Sequence, residues 1–183
     1  MAEPAPFERG ESALAVPVPA AEALVSEIRA RFDSSAAYGM PAHLTIVYPF
    51  LPEKRLSASV LRRLGAECAR TPTFEVSFDR VGRFPTVAYL SPEPTIEFYR
   101  LTDRLVRRWP EAPPYGGVHE NLVYHLTLAD EAPPELIERL RKDLQPELPL
   151  KTIVDSAELY IFDGRRWQVR ARFGFGSASA ENN

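Results

Sequence analysis

Apolar positions alternate with polar positions in some stretches of the chain and recur at about every fourth position in others. The first alternating stretch predicts a strand, and the wider spacing after Pro19 predicts a helix. The apolar positions of this strand are Leu14, Val16 and Val18. Those of the helix are Leu24, Ile28 and Phe32. The pattern therefore indicates a fold that contains both strands and helices.

The order strand-helix-strand-helix-strand occurs twice along the chain. The later elements of the first unit are a strand at Leu44 and Ile46, a helix from Ser57 and a strand at Phe74, Val76 and Phe78. Those of the second unit are strands at Val87 and Tyr89 and at Leu126 and Leu128, helices from Pro94-Thr95 and Pro133-Pro134, and two final strands joined near Asp163-Gly164. This repetition predicts two α+β lobes related by approximate two-fold symmetry.

The repeated pattern defines the predicted domain limits. We predict one bilobal domain over residues 13–175, with lobes at approximately 13–80 and 86–175. The order of elements leaves open whether strands are exchanged between the lobes. Residues 1–12 and 176–183 have no periodicity, and we expect both ends to be loose.

Composition and charge restrict the function. The 183 residues are 45% hydrophobic and carry a formal net charge of −3, which is unsuited to binding long nucleic acid by bulk electrostatics. A small phosphorylated substrate or an RNA end is compatible with this charge. Cys68 is the only cysteine, which excludes an internal disulfide and a cysteine-rich zinc site. With no apolar signal segment or membrane span in the sequence, we predict a cytoplasmic protein.

Two short motifs occupy the second strand of each unit. They are His43-Leu44-Thr45-Ile46 and His125-Leu126-Thr127-Leu128. On a strand, residues two apart share a face, so each His lies beside its Thr while the aliphatic residues face the core. One such motif is an ordinary strand sequence. Two of them at matching positions, in a chain with three His, favour a shared site with two imidazoles and two hydroxyls.

These residue types suit acid–base chemistry at phosphorus. Imidazole has an unperturbed pKa of about 6.5 and exchanges protons near neutral pH. In-line displacement requires one group to accept a proton from the attacker and another to protonate the leaving oxygen. The threonine hydroxyls can donate hydrogen bonds to the non-bridging oxygens. The sequence leaves open which His is the acid. His-x-Thr is a poor metal site, so we predict no metal and no cofactor.

The paired motifs resemble the signature of the 2H phosphoesterase superfamily. The longer stretch at residues 41–50, Pro-Ala-His-Leu-Thr-Ile-Val-Tyr-Pro-Phe, is similar to that of bacterial proteins called 2′-5′ RNA ligase-like. The resemblance extends from about Ala13 to Phe175. It implies that each lobe is an antiparallel sheet backed by helices, with a central cleft between the lobes. It also implies that the two His are catalytic and that Thr45 and Thr127 bind the phosphate.

The resemblance implies an enzyme that hydrolyses cyclic phosphodiesters without a metal. Its expected partner is a 2′,3′-cyclic nucleotide or an RNA end. Two alternatives stay open: 2′-5′ RNA ligation at the same site, and a non-catalytic module that binds nucleotides or RNA ends. A site completed within one chain makes a monomer the simplest expectation.

Three further residues near the motifs are candidate substrate contacts. Arg83 follows a predicted strand and is either a phosphate contact or a solvated turn residue. Phe84 is either a platform for a base or a core residue, and His119 is either a rim contact or an exposed loop residue. Strand parity places Tyr48 and Tyr124 on the aliphatic side, away from the motif side chains.

Overall fold

The structure, a computed structural model, describes residues 5–118 and 121–176 as eight strands and five helices, with a few short helical turns. The strands are β1 (Ser12–Pro17), β2 (His43–Val47), β3 (Phe74–Arg83), β4 (Ala88–Glu93), β5 (Leu126–Ala129), β6 (Leu150–Val154), β7 (Ser156–Phe162) and β8 (Trp167–Gly174). The helices are α1 (Glu22–Phe32), α2 (Ser34–Ala37), α3 (Ala58–Cys68), α4 (Ile96–Arg108) and α5 (Pro134–Leu144). None of these helices is long and apolar enough to cross a membrane.

The strands form two four-stranded antiparallel sheets, in the orders β2-β1-β7-β8 and β5-β4-β3-β6. Helices pack on both sheets, and the predicted α+β fold of two similar lobes is confirmed. The lobes are not consecutive halves of the chain, however. β3 pairs with β4 in the second sheet, while β7 and β8 join the first. Strands are therefore exchanged between the lobes, a possibility that the order of elements had left open, and the sequence pattern had missed β6 altogether.

Helix starts follow local sequence signals. The Ser57 hydroxyl accepts a hydrogen bond from the Val60 amide at 3.3 Å and caps α3, at the predicted start of this helix. Pro134 lies in the first turn of α5, where the missing amide hydrogen has no cost. Thr95 does precede α4, but its side chain makes no capping hydrogen bond.

The buried side of α1 differs from the prediction. Phe32 is 37% exposed at the end of the helix, whereas Arg29 is only 2% exposed. The Arg29 guanidinium donates to Asp33 and to the Met40 carbonyl, so a charged side chain is buried at a position outside the predicted apolar stripe. Val25, one turn earlier, shares this buried side.

Residues near both predicted loose ends make defined contacts in the described part of the chain. Phe7 packs against Tyr38 and Trp167, with ring centroids 5.6 and 5.1 Å away, and the Gly10 amide donates to the Phe162 carbonyl at 2.8 Å. Residues 5–12 are therefore not loose, because an aromatic side chain anchors them. Gly176 forms backbone hydrogen bonds with Thr71 and Thr73. Residues 1–4 and 177–183 lie outside the described part of the chain.

The two motif strands are equivalent edges of the two sheets. β2 lies beside β1, β5 lies beside β4, and the two edge strands approach each other across the molecule. The four aliphatic residues of the motifs are no more than 1% exposed: Leu44, Ile46, Leu126 and Leu128. The alternation predicted for both motifs is therefore confirmed, and it turns the His and Thr side chains away from the core.

Candidate active site between the two sheets

The four motif side chains line a single cavity of about 230 Å³. His43 and Thr45 enter it from β2, and His125 and Thr127 enter from the opposite sheet. Each of the four is half-buried. The structure thus brings together two imidazoles and two hydroxyls, one pair from each lobe.

The two imidazoles are oriented by the same backbone contact. Nδ1 of His43 lies 2.7 Å from the Pro41 carbonyl oxygen, and Nδ1 of His125 lies 2.6 Å from that of Val123. A carbonyl oxygen only accepts hydrogen bonds, so Nδ1 must carry the hydrogen in both rings. In the neutral form, Nε2 of each His is then the nitrogen left to exchange a proton with a substrate.

Burial lowers the pKa of both imidazoles. The pKa of His43 falls to about 4, chiefly because of burial, and the charges of Arg29 and His125 lower it further. Its hydrogen bond to Pro41 and the carboxylate of Asp33 act in the opposite direction. Burial also lowers the pKa of His125. Both rings therefore favour the neutral form.

A buried ion pair lies close to His43. Arg29 Nε donates to Asp33 Oδ2 at 2.8 Å, and Arg29 Nη2 donates to the Met40 carbonyl at 3.2 Å. Asp33 also lines the cavity and accepts a hydrogen bond from the Ser35 amide at 2.9 Å, which caps α2. The carboxylate is thus held by several partners at the edge of the site.

Aromatic rings surround His125 instead. The centroids of Phe84 and Tyr89 lie 5.2 and 5.3 Å from the imidazole, and Phe84 is perpendicular to it. Tyr89 pairs across the sheet with Gly82, where an added Cβ would come within 2.4 Å of the tyrosine ring. Glycine at this position leaves the space that the tyrosine fills beside His125.

The three candidate substrate contacts, Arg83, Phe84 and His119, differ in their positions relative to the site. Phe84 contacts His125 directly, and its role as a platform for a base stays a prediction. Arg83 is exposed and does not line the cavity; its charge instead acts on Glu138 of α5, so the structure gives it no contact with the site. His119 lies outside the described residues.

Tyr115 is a site residue that the sequence reasoning missed. It lines the cavity, and a hydrogen bond joins its side chain to Thr45, while burial raises the pKa of its phenol. Its φ of 52° lies in the left-handed region, which is uncommon for a residue other than glycine. The Tyr115 amide donates to the Tyr48 carbonyl at 2.5 Å. The Pro and Gly residues around it signal a turn, but nothing in that signal indicates that the turn enters the site.

The aromatic wall of the cavity was also unexpected. Tyr48 lines the cavity with Phe7 and Trp167, whereas parity had placed it on the core side. The parity argument fails because β2 ends at Val47, one residue earlier. Tyr124 is buried as predicted, and its hydroxyl donates to Thr102 at 2.6 Å.

Few charged side chains line the cavity. Among the described residues that line it there is no Lys or Arg, and the acidic side chains are Asp33 and Asp130. Asp130 accepts a hydrogen bond from the Ser34 amide at 3.0 Å and so links the two lobes at the cavity edge. Within residues 5–118 and 121–176, no group of three or more His, Cys, Asp or Glu is arranged to hold a metal ion.

Several solved structures have a similar fold. Escherichia coli LigT in complex with 3′-AMP is 21% identical, with a TM-score of 0.60, and the match covers 92% of this chain and 99% of LigT. TT0787 of Thermus thermophilus is 20% identical, with a TM-score of 0.59 over 91% of this chain and 98% of its own. A structure described as a phosphoesterase is 20% identical, with a TM-score of 0.57 over 92% and 99% of the two chains. No curated protein matches the sequence.

A family model supplies the classification. The model of the 2′-5′ RNA ligase superfamily matches residues 16–166, a span that contains both His-Thr motifs and most of the chain. The structural relatives share the architecture of the two sheets. The chain therefore belongs to the 2′-5′ RNA ligase superfamily, as the resemblance of its motifs predicted.

Proposed function

We propose that this protein hydrolyses cyclic phosphodiesters, such as 2′,3′-cyclic nucleotides or RNA ends, by paired general acid–base catalysis without a metal. One observation carries the proposal. Both imidazoles donate through Nδ1 to a backbone carbonyl, which leaves the two Nε2 atoms for a ligand in the shared cavity.

The reaction needs one neutral and one protonated imidazole. Nε2 of the neutral ring accepts a proton from water as the water oxygen bonds to phosphorus. The protonated ring donates its Nε2 proton to the ribose oxygen as the bond from that oxygen to phosphorus breaks. Thr45 and Thr127 donate hydrogen bonds to the non-bridging oxygens, where negative charge accumulates. Each proton transfer is expected to contribute about 10²–10⁴-fold to the rate.

The charge of the cavity favours a diester over a monoester. A cyclic phosphodiester carries one negative charge, which one imidazolium balances. A phosphate monoester dianion would bring a second charge into a cavity that contains Asp33 and Asp130, with no Lys or Arg among its described lining residues. The same charges would help to release the product. LigT, in complex with 3′-AMP, supports a nucleotide as the class of ligand.

The direct test is a substrate panel with products resolved by phosphorus NMR. It comprises 2′,3′-cyclic nucleotides, oligonucleotides with a cyclic phosphate end, and ADP-ribose cyclic phosphate. We expect a monoester product from at least one class, with the same rate in the presence of EDTA. Loss of activity on chelation, restored by a divalent ion, would contradict the mechanism.

The two alternatives are distinguished by the same panel. In ligation a 5′-hydroxyl end replaces water as the attacker: its oxygen bonds to phosphorus and gives up its proton to one imidazole, while the ring bond to the ribose oxygen breaks and that oxygen takes a proton from the other. A pure binding module would retain cyclic-phosphate ends without forming product over long incubation. A monomer is expected because one chain supplies all four motif side chains, and light scattering would test this. Location in the cytoplasm stays a prediction from the sequence.

A further inference from the structure

Five arginines and one glutamate line a second cavity, of about 450 Å³, where α3 and α4 meet. Its lining residues are Arg63, Glu67, Arg70, Arg104, Arg107 and Arg108. The first two belong to α3, the third follows that helix, and the last three belong to α4. None of the six lines the catalytic cavity. This arginine cavity is therefore separate from the two imidazoles.

A single carboxylate is shared by three of the arginines. Glu67 is only 5% exposed, and it is the one acidic residue in the described lining. Its carboxylate oxygens lie 3.1 Å from Arg70 Nη1, 2.9 Å from Arg108 Nε and 3.5 Å from Arg104 Nε. One negative charge therefore faces three positive charges at the base of the cavity.

The remaining two arginines add to this imbalance. Arg107 pairs with Asp103, outside the lining, at 2.9 Å. The side chain of Arg63 has no hydrogen bond or ion pair within residues 5–118 and 121–176. Five guanidinium groups are thus opposed by the carboxylates of Glu67 and Asp103, which leaves an excess of three positive charges. The formal net charge of the whole chain is −3, so this local excess is opposite in sign to the overall charge.

Protein contacts hold several of the guanidinium groups in place. Arg104 Nη2 donates to the Thr71 hydroxyl at 2.7 Å and to the Glu67 backbone carbonyl at 3.1 Å. Arg70 and Arg108 each donate to the Glu67 carboxylate. A guanidinium has five N–H donors, so these contacts leave others for a ligand. Because the side chains are already ordered, binding an anion costs less conformational entropy.

The charges of the two cavities favour different ligands. In the arginine cavity burial lowers the pKa of Arg104, and the charge of Arg70 lowers it further, while Glu67 raises it. An anion with several negative charges would relieve the repulsion between these arginines. The catalytic cavity has Asp33 and Asp130 and no Lys or Arg among its described lining residues. A ligand of high negative charge therefore suits the arginine cavity and not the catalytic one.

We propose that the arginine cavity binds a compact chain of phosphoryl groups, such as inorganic triphosphate or the triphosphate of a nucleotide. Guanidinium groups bind phosphate oxygens through charged hydrogen bonds, often in pairs. A triphosphate chain concentrates its charges within one cavity, whereas an RNA strand carries one charge on each nucleotide. The described lining residues include no aromatic ring, so we expect no contribution from a base. This inference does not depend on the proposed function, because it concerns other residues.

The test is titration calorimetry of the full chain in a buffer without divalent cations. Inorganic triphosphate should bind at least about tenfold more tightly than orthophosphate, because each added phosphoryl group adds charged contacts. This binding should weaken as the salt concentration is raised. ATP should bind within about threefold of inorganic triphosphate, since no ring stacks on its base. A short oligouridylate of the same total charge should bind more weakly than inorganic triphosphate.

Two neighbouring arginines of α3 supply a variant and its matched control. Arg63→Gln should weaken the binding of inorganic triphosphate about tenfold, because Arg63 is exposed and lines the cavity. Arg62→Gln removes the same charge from the preceding residue, which is also exposed but does not line the cavity, and should change the affinity less than about twofold. Arg107→Gln, at another exposed lining position, is the second variant. Thermal unfolding should change little in all three.

Three results would overturn the inference. If inorganic triphosphate does not bind saturably, or if Arg62→Gln and Arg63→Gln have equal effects, the arginines only join the two helices and there is no site. If the oligouridylate binds more tightly than inorganic triphosphate, and Arg63→Gln weakens it, the cavity binds a nucleic-acid backbone instead. If ATP binds tenfold more tightly than inorganic triphosphate, the site does not recognise phosphate alone. Failure of cyclic-nucleotide hydrolysis would leave all these expectations unchanged.

Discussion

His43 and His125 stand at equivalent edges of the two sheets, and each donates through Nδ1 to the carbonyl two residues before it. Beyond this shared contact, the neighbours of the two rings differ. His43 lies near the buried ion pair of Arg29 and Asp33, whereas His125 lies against the rings of Phe84 and Tyr89. Thr45 also has a hydrogen bond to Tyr115.

The repeated motif sets the orientation of the two imidazoles, whereas the surroundings set their pKa values. The motif and the backbone contact orient both imidazoles in the same way. Burial lowers the pKa of both rings, and His43 alone has charged neighbours, of which Arg29 lowers its pKa further and Asp33 raises it. Two identical tetrapeptide patterns can therefore perform different steps of one reaction.

The largest expected effect is the loss of either imidazole. His43→Ala and His125→Ala should each lower kcat by about 10²–10⁴-fold, because each removes one proton transfer. The double variant should be little worse than either single variant, since the two rings act as a pair. Thermal unfolding is the control and should change little for these half-buried side chains. Near-normal turnover by one variant would show that the imidazole removed in it is neither the acid nor the base.

The ion pair beside His43 gives the next largest effect. Arg29→Met leaves Asp33 buried without its partner and should lower the free energy of unfolding by about 3–5 kcal/mol, measured in urea. The matched control is Arg107→Met, which removes an exposed partner of Asp103 and should cost less than about 1 kcal/mol. Equal effects of the two substitutions would mean that the buried pair is not what holds this side of the site.

The hydroxyl groups test whether Tyr115 acts through Thr45. Thr45→Val and Thr127→Val should each lower kcat by about 10²–10³-fold, because each removes a donor to the phosphate. Tyr115→Phe should have a smaller effect that disappears in the Thr45→Val background and persists with Thr127→Val. Additive effects in both double variants would show that the tyrosine acts independently of Thr45.

The sequence was sufficient to predict the motif side chains and the two-lobed fold. Residues two apart on a strand share a face whatever the rest of the fold, so the pairing of His43 with Thr45 follows from local geometry. The repeated order of elements then predicted two similar lobes. The sequence left open that β3 joins the second sheet while β7 and β8 join the first. Local patterns do not specify which strand edges pair at long range.

The residues that support the motifs could not be predicted in the same way. Phe7 and Tyr115 reach the cavity from segments distant in sequence, and their positions depend on the path of the folded chain. Arg29 is buried because Asp33 and a carbonyl satisfy it, which an apolar pattern does not reveal. Tertiary hydrogen bonds and ring contacts therefore determine what local periodicity leaves undecided.

The smallest expected effect concerns stability at acid pH. In the folded protein the pKa of His43 is about 4, below the value of about 6.5 for an unfolded chain, so between these values the unfolded state binds more protons. The stability contributed by the neutral ring is therefore present above about pH 6.5 and is lost as the pH falls towards 4. At about 1.4 kcal/mol per pKa unit the loss is at most about 3.5 kcal/mol, and solvent screening of the half-buried ring reduces it. Urea unfolding of His43→Gln should show a weaker decline over this range than the wild type. Parallel curves for the two proteins would mean that the ring accepts protons equally well in the folded and unfolded states, and that burial does not hold His43 in its neutral form.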